Sequence, residues 1–516
     1  MNAQPDVDAE LHADLDADVA IVGYGPVGSA LAILLGQLGR TVVVIEKWPE
    51  PYPLPRAVHF DHEIGRILQS CGIGDDLRDI IEPADIYEWR NAAGTTLLRF
   101  GRVGNSPSGW PLSSMFNQPA LEALLDGRAQ SLPTVGVRRG VEVAGFDTDD
   151  DGVTLHTTHR GDVRARYVVG CDGANSTVRA VTGLPMHDLG FFYDWLVVDV
   201  ILDDARIFDP MNLQVCDPAR PTTVVSGGPG RRRWEFMRLP DESLDDLNEE
   251  QRAWELLAPW DVHPGNARLE RHAVYTFRAR YMEQWRAGRV LLAGDAAHLT
   301  PPFAGQGMCA GLRDAANLAW KLDVVLTGRA RDQLLDTYGE ERLPSVRAAI
   351  EFAIELGKVI CVPGPDEAAA RDEAMAAAVG PEPSDVPALP GIDHGIIDPT
   401  AAWAGHLFVQ PRIDGRLLDD VYGPGWYLVT IDHDISSLDR GTVEWFRSIG
   451  GATVQLSDPD AVASDWFADH GVTWALQRPD FHLYGTATTD AAASGLLDGL
   501  RSQLTGVDRP VQGALT

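Results

Sequence analysis

Three glycines spaced as Gly23-x-Gly25-x-x-Gly28 stand between a short apolar strand that begins at Asp18 and an apolar helical stretch from Ser29 to Leu38. In that setting the first glycine makes a tight turn, the second lets main chain approach a pyrophosphate, and the third lets helix and strand pack closely. The helix N-terminus then faces the phosphates. A second strand, Thr41 to Ile45, ends at Glu46, about twenty residues past the turn, where a carboxylate accepts adenosine ribose hydroxyls. Pro26 and Val27 inside the turn, and Lys47 beside Glu46, complete the expected cofactor contacts at this end. A glycine-rich turn alone would say little; strand, helix and acid together predict a bound dinucleotide.

The choice between NAD and FAD falls to a second pattern, Arg289-Val-Leu-Leu-Ala-Gly-Asp-Ala-Ala-His298, followed by Pro301-Pro302 and Gly305-Gln306-Gly307. Asp295, placed just after a buried strand with Gly294, can hydrogen-bond a ribityl hydroxyl. The later glycines let backbone and a helix N-terminus approach a flavin ring and stabilise negative charge on its pyrimidine end. An NAD-only dehydrogenase has no use for this pattern, so the cofactor is expected to be FAD. Gly305-x-Gly307-x-x-Ala310 superficially repeats the first fingerprint, but it follows a proline pair rather than a strand and lacks a following acid. With no second nucleotide fold, NADH or NADPH is expected to bind transiently over the flavin.

Other side chains offer weaker chemistry. Arg56 can grip a phosphate with its guanidinium fork, although an isolated Arg is ordinarily a surface ion-pair partner. His59-x-Asp61-His62 has the composition of a metal cluster, but the residues open a helix where Asp commonly caps, and no metal is expected. His298 reads as a structural imidazole rather than a proton shuttle. On one strand Trp234, Phe236 and Arg238 alternate with Arg233, Glu235 and Met237, so one of the two faces is expected to line a substrate pocket. His59, Arg233 and Arg238 are the candidates for touching substrate, the two arginines as anchors for a carboxylate. The base that assists a phenol is not identified.

These residues need elements to position them, and 516 residues supply two or three domains. Lys+Arg 43 against Asp+Glu 75 gives a formal charge of -32, which repels nucleic acid and anionic membranes. Five cysteines without a C-x-x-C pair suggest neither zinc nor a disulfide framework and fit a reducing cytoplasm. The first eighteen residues carry six acids and no Lys or Arg, unlike a signal peptide, and no long apolar run suggests a membrane span.

Residues 1–17 therefore read as a flexible acidic leader, 18–189 and 281–360 as a discontinuous FAD-binding domain, and 190–280 as a β-sheet substrate domain. Residues 361–400, rich in Ala, Pro and acids, read as a linker, and 401–516 as a small α/β domain.

Taken together, the fingerprint, Cys171-Asp172-Gly173-Ala174-Asn175-Ser176 with Arg179, and the Gly294-Asp295 pattern resemble the class A, single-component FAD-dependent aromatic hydroxylases. Pro55-Arg56-Ala57, Phe116-Asn117-Gln118-Pro119 and the stretch from Val274 to Arg347 resemble the 3-(3-hydroxyphenyl)propionate hydroxylases among them, over roughly residues 18 to 360. The resemblance implies an α/β fold with a Rossmann-like FAD-binding domain of the aromatic hydroxylase type, a substrate sheet and a thioredoxin-like C-terminal domain. That last segment contains no cysteine and so cannot do thiol chemistry; structural support or homodimer contact is its expected role.

Residue by residue, the resemblance implies that Asp172 and Gly173 lie near the pyrophosphate and the nicotinamide route, and that Arg56 and Gln118 contact FAD. Asp295 would bind the ribityl chain, and Pro302, Gly305, Gln306, Gly307 and Met308 would border the isoalloxazine. The implied reaction is NAD(P)H-driven hydroxylation of a phenolic ring by molecular oxygen through a flavin hydroperoxide, on a 3-(3-hydroxyphenyl)propionate-like substrate. The alternatives are a polyketide-tailoring hydroxylase of polycyclic phenols and, further off, a non-hydroxylating FAD oxidoreductase. A halogenase would carry a Trp-x-Trp-x-x-Pro stretch, which is absent.

Overall fold

The run Ala17–Val22 is apolar at nearly every position because both faces of the strand are covered, as parallel strands require. It pairs in parallel with Val42–Glu46 on one side and Val163–Gly170 on the other, and these pair in turn with Val135–Arg139 and Val290–Leu292. The register aligns Val22 with Ile45 and Gly170, and Gly170 with Leu292. The strands' carboxyl ends therefore finish side by side, and the turns that follow them, at Gly23, Glu46, Cys171 and Gly294, converge on one edge. A ligand crevice forms at such an edge in open α/β sheets. The helices Pro26–Gln37 and Gly307–Leu326 pack together against this sheet. The computed structural model describes residues 16–506 except 102–103, 105, 205, 381, 385–386, 432 and 458, so the expected leader lies almost wholly outside the described residues.

A second sheet of eight strands stands over that edge. Its long central strands, Met186–Leu202 and Ala267–Met282, run antiparallel. The sheet is wider than the expected segment 190–280. Asn212–Val215 pairs in parallel with Ile86–Arg90, which brings in Thr96–Gly101, and His298–Leu299 adds the opposite edge. Strand pairing recruits chain from far away in sequence, which segment composition does not reveal.

The expected linker also takes on structure. Residues Pro365–Ala378 form a helix, as their alanines favour, and Ala368 is buried. Arg371 donates to the carbonyls of Val359 (3.0 Å) and Cys216 (2.6 Å), strapping this segment across the second sheet.

The C-terminal sheet has the order Ala452–Gln455, Tyr427–Thr430, Trp474–Gln477, Leu483–Ala487, with the first pair parallel and the others antiparallel, and helices Arg440–Ser448, Ala461–His470 and Asp490–Thr505 between and after the strands. That is a thioredoxin-like topology. Buried ion pairs fasten it to the rest: Arg66 to Asp419 (2.6 Å), and Arg478 to Glu341 (2.6 Å), which also holds Lys321 (2.9 Å) on the Gly307–Leu326 helix. Burial opposes ionisation of Glu341, but Arg478 and Lys321 outweigh it and hold the carboxyl well below the usual range.

Candidate active site

The glycine turn is closed on every side but one. A Cβ on Gly23, whose φ is +101°, would stand 2.4 Å from the Cys171 carbonyl oxygen, and one on Gly28 would stand 2.1 Å from the carbonyl oxygen of Gly23. Gly25 has nothing within 4 Å of its Cβ position. Open space at the middle glycine, with the outer two packed tight, is the shape that lets main chain meet a pyrophosphate. A small cavity lined by Tyr24, Gly25, Glu46, Arg56, Glu122 and Arg139 lies there. Glu46 is fixed at its wall: its carboxylate accepts from the N–H groups of Tyr24 (2.8 Å) and Trp48 (2.9 Å). The residues fit the adenosine half of a dinucleotide.

Lys47, expected among the cofactor contacts, stands outside the lining of this cavity. It is exposed, with its ammonium 5.4 Å from the Trp48 ring centroid, and does not line the cavity, because successive residues of an extended segment point opposite ways. Pro26 opens the helix at its first position. Val27 faces the core: Gly294 and Gly311 both accommodate it, and a Cβ on Gly311 would lie 2.6 Å from it. Its role is to seat the two motifs against each other.

Asp172 turns its carboxylate to the chain rather than outward, accepting from the N–H groups of Thr177 (2.7 Å) and Val178 (3.1 Å) at the start of a short helix. Arg179 then ties this loop to the Gly294 turn, donating to the carbonyls of Ala174 (2.6 Å) and Ala296 (2.9 Å). Gly173, at φ +81°, is left with open space around it. Asp295 is exposed and lines neither cavity, yet the protein packed around it desolvates its carboxyl and raises the pKa, partly offset by His298, Arg56 and Arg179. Beneath it lies a residue the sequence did not flag: buried Asp314 accepts from Gly294 N–H (3.0 Å), His298 Nε2 (2.8 Å) and Arg342 Nε (2.9 Å). His298 is fully buried against Trp285, away from the cavity. It shapes the turn rather than shuttling protons.

A larger cavity, about 250 Å³, opens between the first and second sheets. Arg56 lines both cavities, its guanidinium 4.6 Å from the Tyr52 ring centroid. Gln118 does not line either one: its Oε1 accepts from Ala57 N–H (2.6 Å) and Arg56 N–H (3.2 Å), so it sets the loop that carries Arg56. Pro302, Gly305, Gln306, Gly307 and Met308 all reach the larger cavity at the N-terminus of the helix Gly307–Leu326. Gly305 has φ +64°, and a Cβ there would stand 2.7 Å from His59 Nδ1. His59 itself lines the cavity, with Nε2 2.8 Å from Ser113 Oγ. Asp61 caps its helix and pairs with Arg313 (2.6 Å), while His62 bonds Ser108. The three side chains of the would-be metal cluster thus go to three different partners.

On the strand Arg231–Met237 the odd residues face the cavity, where Arg233 and Glu235 stand beside Val225 and Thr223 of the neighbouring strand. Trp234 and Phe236 point the other way into a core with Leu196 and Val198. Of the two arginines expected as substrate anchors, Arg233 lines the cavity and Arg238 does not. Arg233 is buried and engaged, pairing with Asp199 (2.7 Å) and donating to the carbonyls of Arg56 (2.6 Å) and Pro55 (3.1 Å), so its fork braces the Arg56 loop. Arg238 lies off the cavity, paired with Asp194 (3.2 Å) and bonded to the Glu242 carbonyl, because its even position puts it on the far face. The cavity also receives Tyr87, Phe100, Phe303 and Leu389, none of which any sequence signal marked.

These two cavities, joined at Arg56 and set at the carboxyl edge of a parallel sheet and the start of one long helix, have the placement expected for a flavin dinucleotide. A family model described as "FAD binding domain" matches residues 16–353, and one described as "HcaD C-terminal domain" matches residues 405–503. The chain belongs to the class A FAD-dependent aromatic hydroxylases. It is 41% identical over 504 residues to a probable NADH-specific resorcinol 4-hydroxylase of Rhodococcus jostii, covering 93% of each chain. It is 34% identical to a 3-(3-hydroxy-phenyl)propionate/3-hydroxycinnamic acid hydroxylase of Mycobacterium avium, covering 94% of this chain and 93% of that one. Among solved structures, the flavin-dependent monooxygenase PieE with FAD and substrate matches in fold with a TM-score of 0.79 at 22% identity, over 95% of this chain and 99% of that one. Aklavinone-11 hydroxylase with FAD and aklavinone matches with a TM-score of 0.75 at 25% identity, over 96% of this chain and all of that one. The protein is therefore an FAD-dependent, NAD(P)H- and oxygen-consuming aromatic hydroxylase.

Proposed function

We propose that the substrate is a small, single-ring phenol. The supporting observation is the larger cavity: at about 250 Å³ it falls below the range of roughly 300 to 1,000 Å³ usual for drug-sized ligands, and it must admit the flavin ring as well. The polycyclic substrate named for aklavinone-11 hydroxylase is the second reading, and the size of the cavity weighs against it. The relatives' names offer two small substrates, resorcinol and 3-(3-hydroxyphenyl)propionate, and NADH as reductant.

FAD, when bound, accepts hydride from the nicotinamide and activates oxygen. In this reading the chain does the rest. Gly25 and the N-terminus of the helix Pro26–Gln37 meet the pyrophosphate, Glu46 holds the adenosine ribose, and Arg56 offers its guanidinium at the junction of the cavities. Asp295 takes a ribityl hydroxyl. The start of the helix Gly307–Leu326 stabilises negative charge at the ring. Phe303, Met115 and Leu356 keep water from the reacting ring. Five free cysteines are in keeping with a cytoplasmic location, and among the described residues no helix is long and apolar enough to cross a membrane.

The test is NADH and NADPH oxidation by the purified protein with a panel of phenols, with hydroxylated product and peroxide assayed together. A single-ring phenol should accelerate oxidation and yield a hydroxylated ring. Product from polycyclic phenols alone would defeat the reading.

A further inference from the structure

Among the described residues lining the larger cavity, Glu235 carries the only carboxyl group. Its side chain is 12% exposed and lies 3.7 Å from Arg233. Around it sit two guanidiniums that share one acid: Asp199 takes Arg233 at 2.7 Å and Arg271 at 3.1 Å. Ionised Glu235 brings this cluster to neutrality, two positive charges against two negative. The cavity's other arginine, Arg56, lines both cavities, with its guanidinium stacked on Tyr52 of the smaller one. At this wall an incoming carboxylate would find a balanced cluster with an acid at its face, and would add a second negative charge beside it. A neutral phenol would find a carboxylate ready to accept its hydroxyl.

Building on the hydroxylase reading, we infer that Glu235 selects the substrate by accepting a hydrogen bond from a phenolic hydroxyl, so that the cavity takes uncharged hydroxybenzenes and rejects phenols carrying a carboxylate. The hydroxyl keeps its proton and no bond is made or broken in this step; the contact orients the ring and strengthens its donor oxygen. Burial raises the Glu235 pKa above the usual carboxyl range, with Arg233 and Arg271 opposing the rise and Asp199 adding to it, and a carboxylate made more basic in this way accepts more strongly from such a donor. This placement separates the two small substrates that the relatives' names offer.

The test uses the oxidised holoenzyme and reads binding from the flavin spectrum with three probes: resorcinol, 3-(3-hydroxyphenyl)propionate, and its uncharged alcohol analogue 3-(3-hydroxyphenyl)propanol. The wild type should bind both neutral probes about ten- to hundredfold more tightly than the carboxylate, because all three share the phenolic hydroxyl and only the carboxylate brings a second negative charge to the Glu235 face. Glu235→Gln should lose most of that discrimination while keeping its flavin. A wild type that binds the propionate as tightly as the propanol, or a Glu235→Gln variant with discrimination intact, would overturn the inference. Should the variant lose flavin, the propionate against propanol comparison in the wild type decides alone. Failure of the hydroxylase reading shows differently, as no ring product from any phenol, whatever the binding.

Discussion

The two ends of the FAD groove are built from different materials. At the dinucleotide end the surface is mainly backbone, with Gly23 and Gly28 packed to within 2.4 and 2.1 Å of carbonyl oxygens at their Cβ positions and Gly25 left open. At the ring end the surface is mainly side chain, and those side chains arrive from the second sheet, the Arg56 loop, the start of the helix Gly307–Leu326, and Phe352, Leu356, Pro387 and Leu389 further along the chain. A backbone surface recognises what every dinucleotide shares, the pyrophosphate and ribose. A side-chain surface can be changed residue by residue without touching the fold. The conserved chemistry of the cofactor and the particular choice of substrate therefore sit on separate materials, joined at Arg56.

That contrast can be broken most severely at Gly28. Gly28→Val places atoms where the Gly23 carbonyl already stands, and the purified protein should be colourless, with flavin absorbance near zero. Full flavin content in this variant would mean that the turn is not the seat of the cofactor.

Next in size is Arg233→Ala at the ring end. It leaves Asp199 and Glu235 with one guanidinium between them and frees two carbonyls of the Arg56 loop, so denaturant unfolding should show a loss of about 3 kcal/mol. A loss in affinity for carboxylated phenols with unchanged stability would instead restore Arg233 as a substrate anchor.

Gly305→Ala acts at the same end through backbone. The left-handed φ and the 2.7 Å approach to His59 should cost about 1 to 3 kcal/mol and raise the share of oxygen released as peroxide, read by thermal unfolding and a coupled peroxide assay. The smallest effect belongs to Arg238→Ala, which removes a partly exposed ion pair outside the cavity. Stability should fall by less than about 1 kcal/mol, and KM for phenols should not move.

Much of the fold was legible. The strand before Gly23, the strand ending at Glu46 and the helix Gly307–Leu326 follow from apolar runs bounded by glycine, which local sequence displays directly. The strap Pro365–Ala378 was not, since its alanines and acids satisfy linker and helix alike until a neighbouring sheet gives them something to cover. In the site, alternation along Arg231–Met237 announced a two-faced strand, yet only the pairing with Met186–Leu202 and Thr222–Ser226 decides which face meets the flavin cavity. Gln118 and Arg238 line neither cavity, and each is engaged by a long-range contact that no local pattern records.

By itself the sequence determined the cofactor. Its recognition rests on turns of a few consecutive residues, where a glycine's missing Cβ and a strand's final carboxylate act within the chain's own local geometry. Only the tertiary structure decided the wall of the larger cavity, because Glu235, Tyr87, Phe303 and Leu389 lie far apart along the chain and become one surface through strand pairing and packing. The neutrality of the Arg233, Arg271, Asp199 and Glu235 cluster likewise belongs to three strands at once.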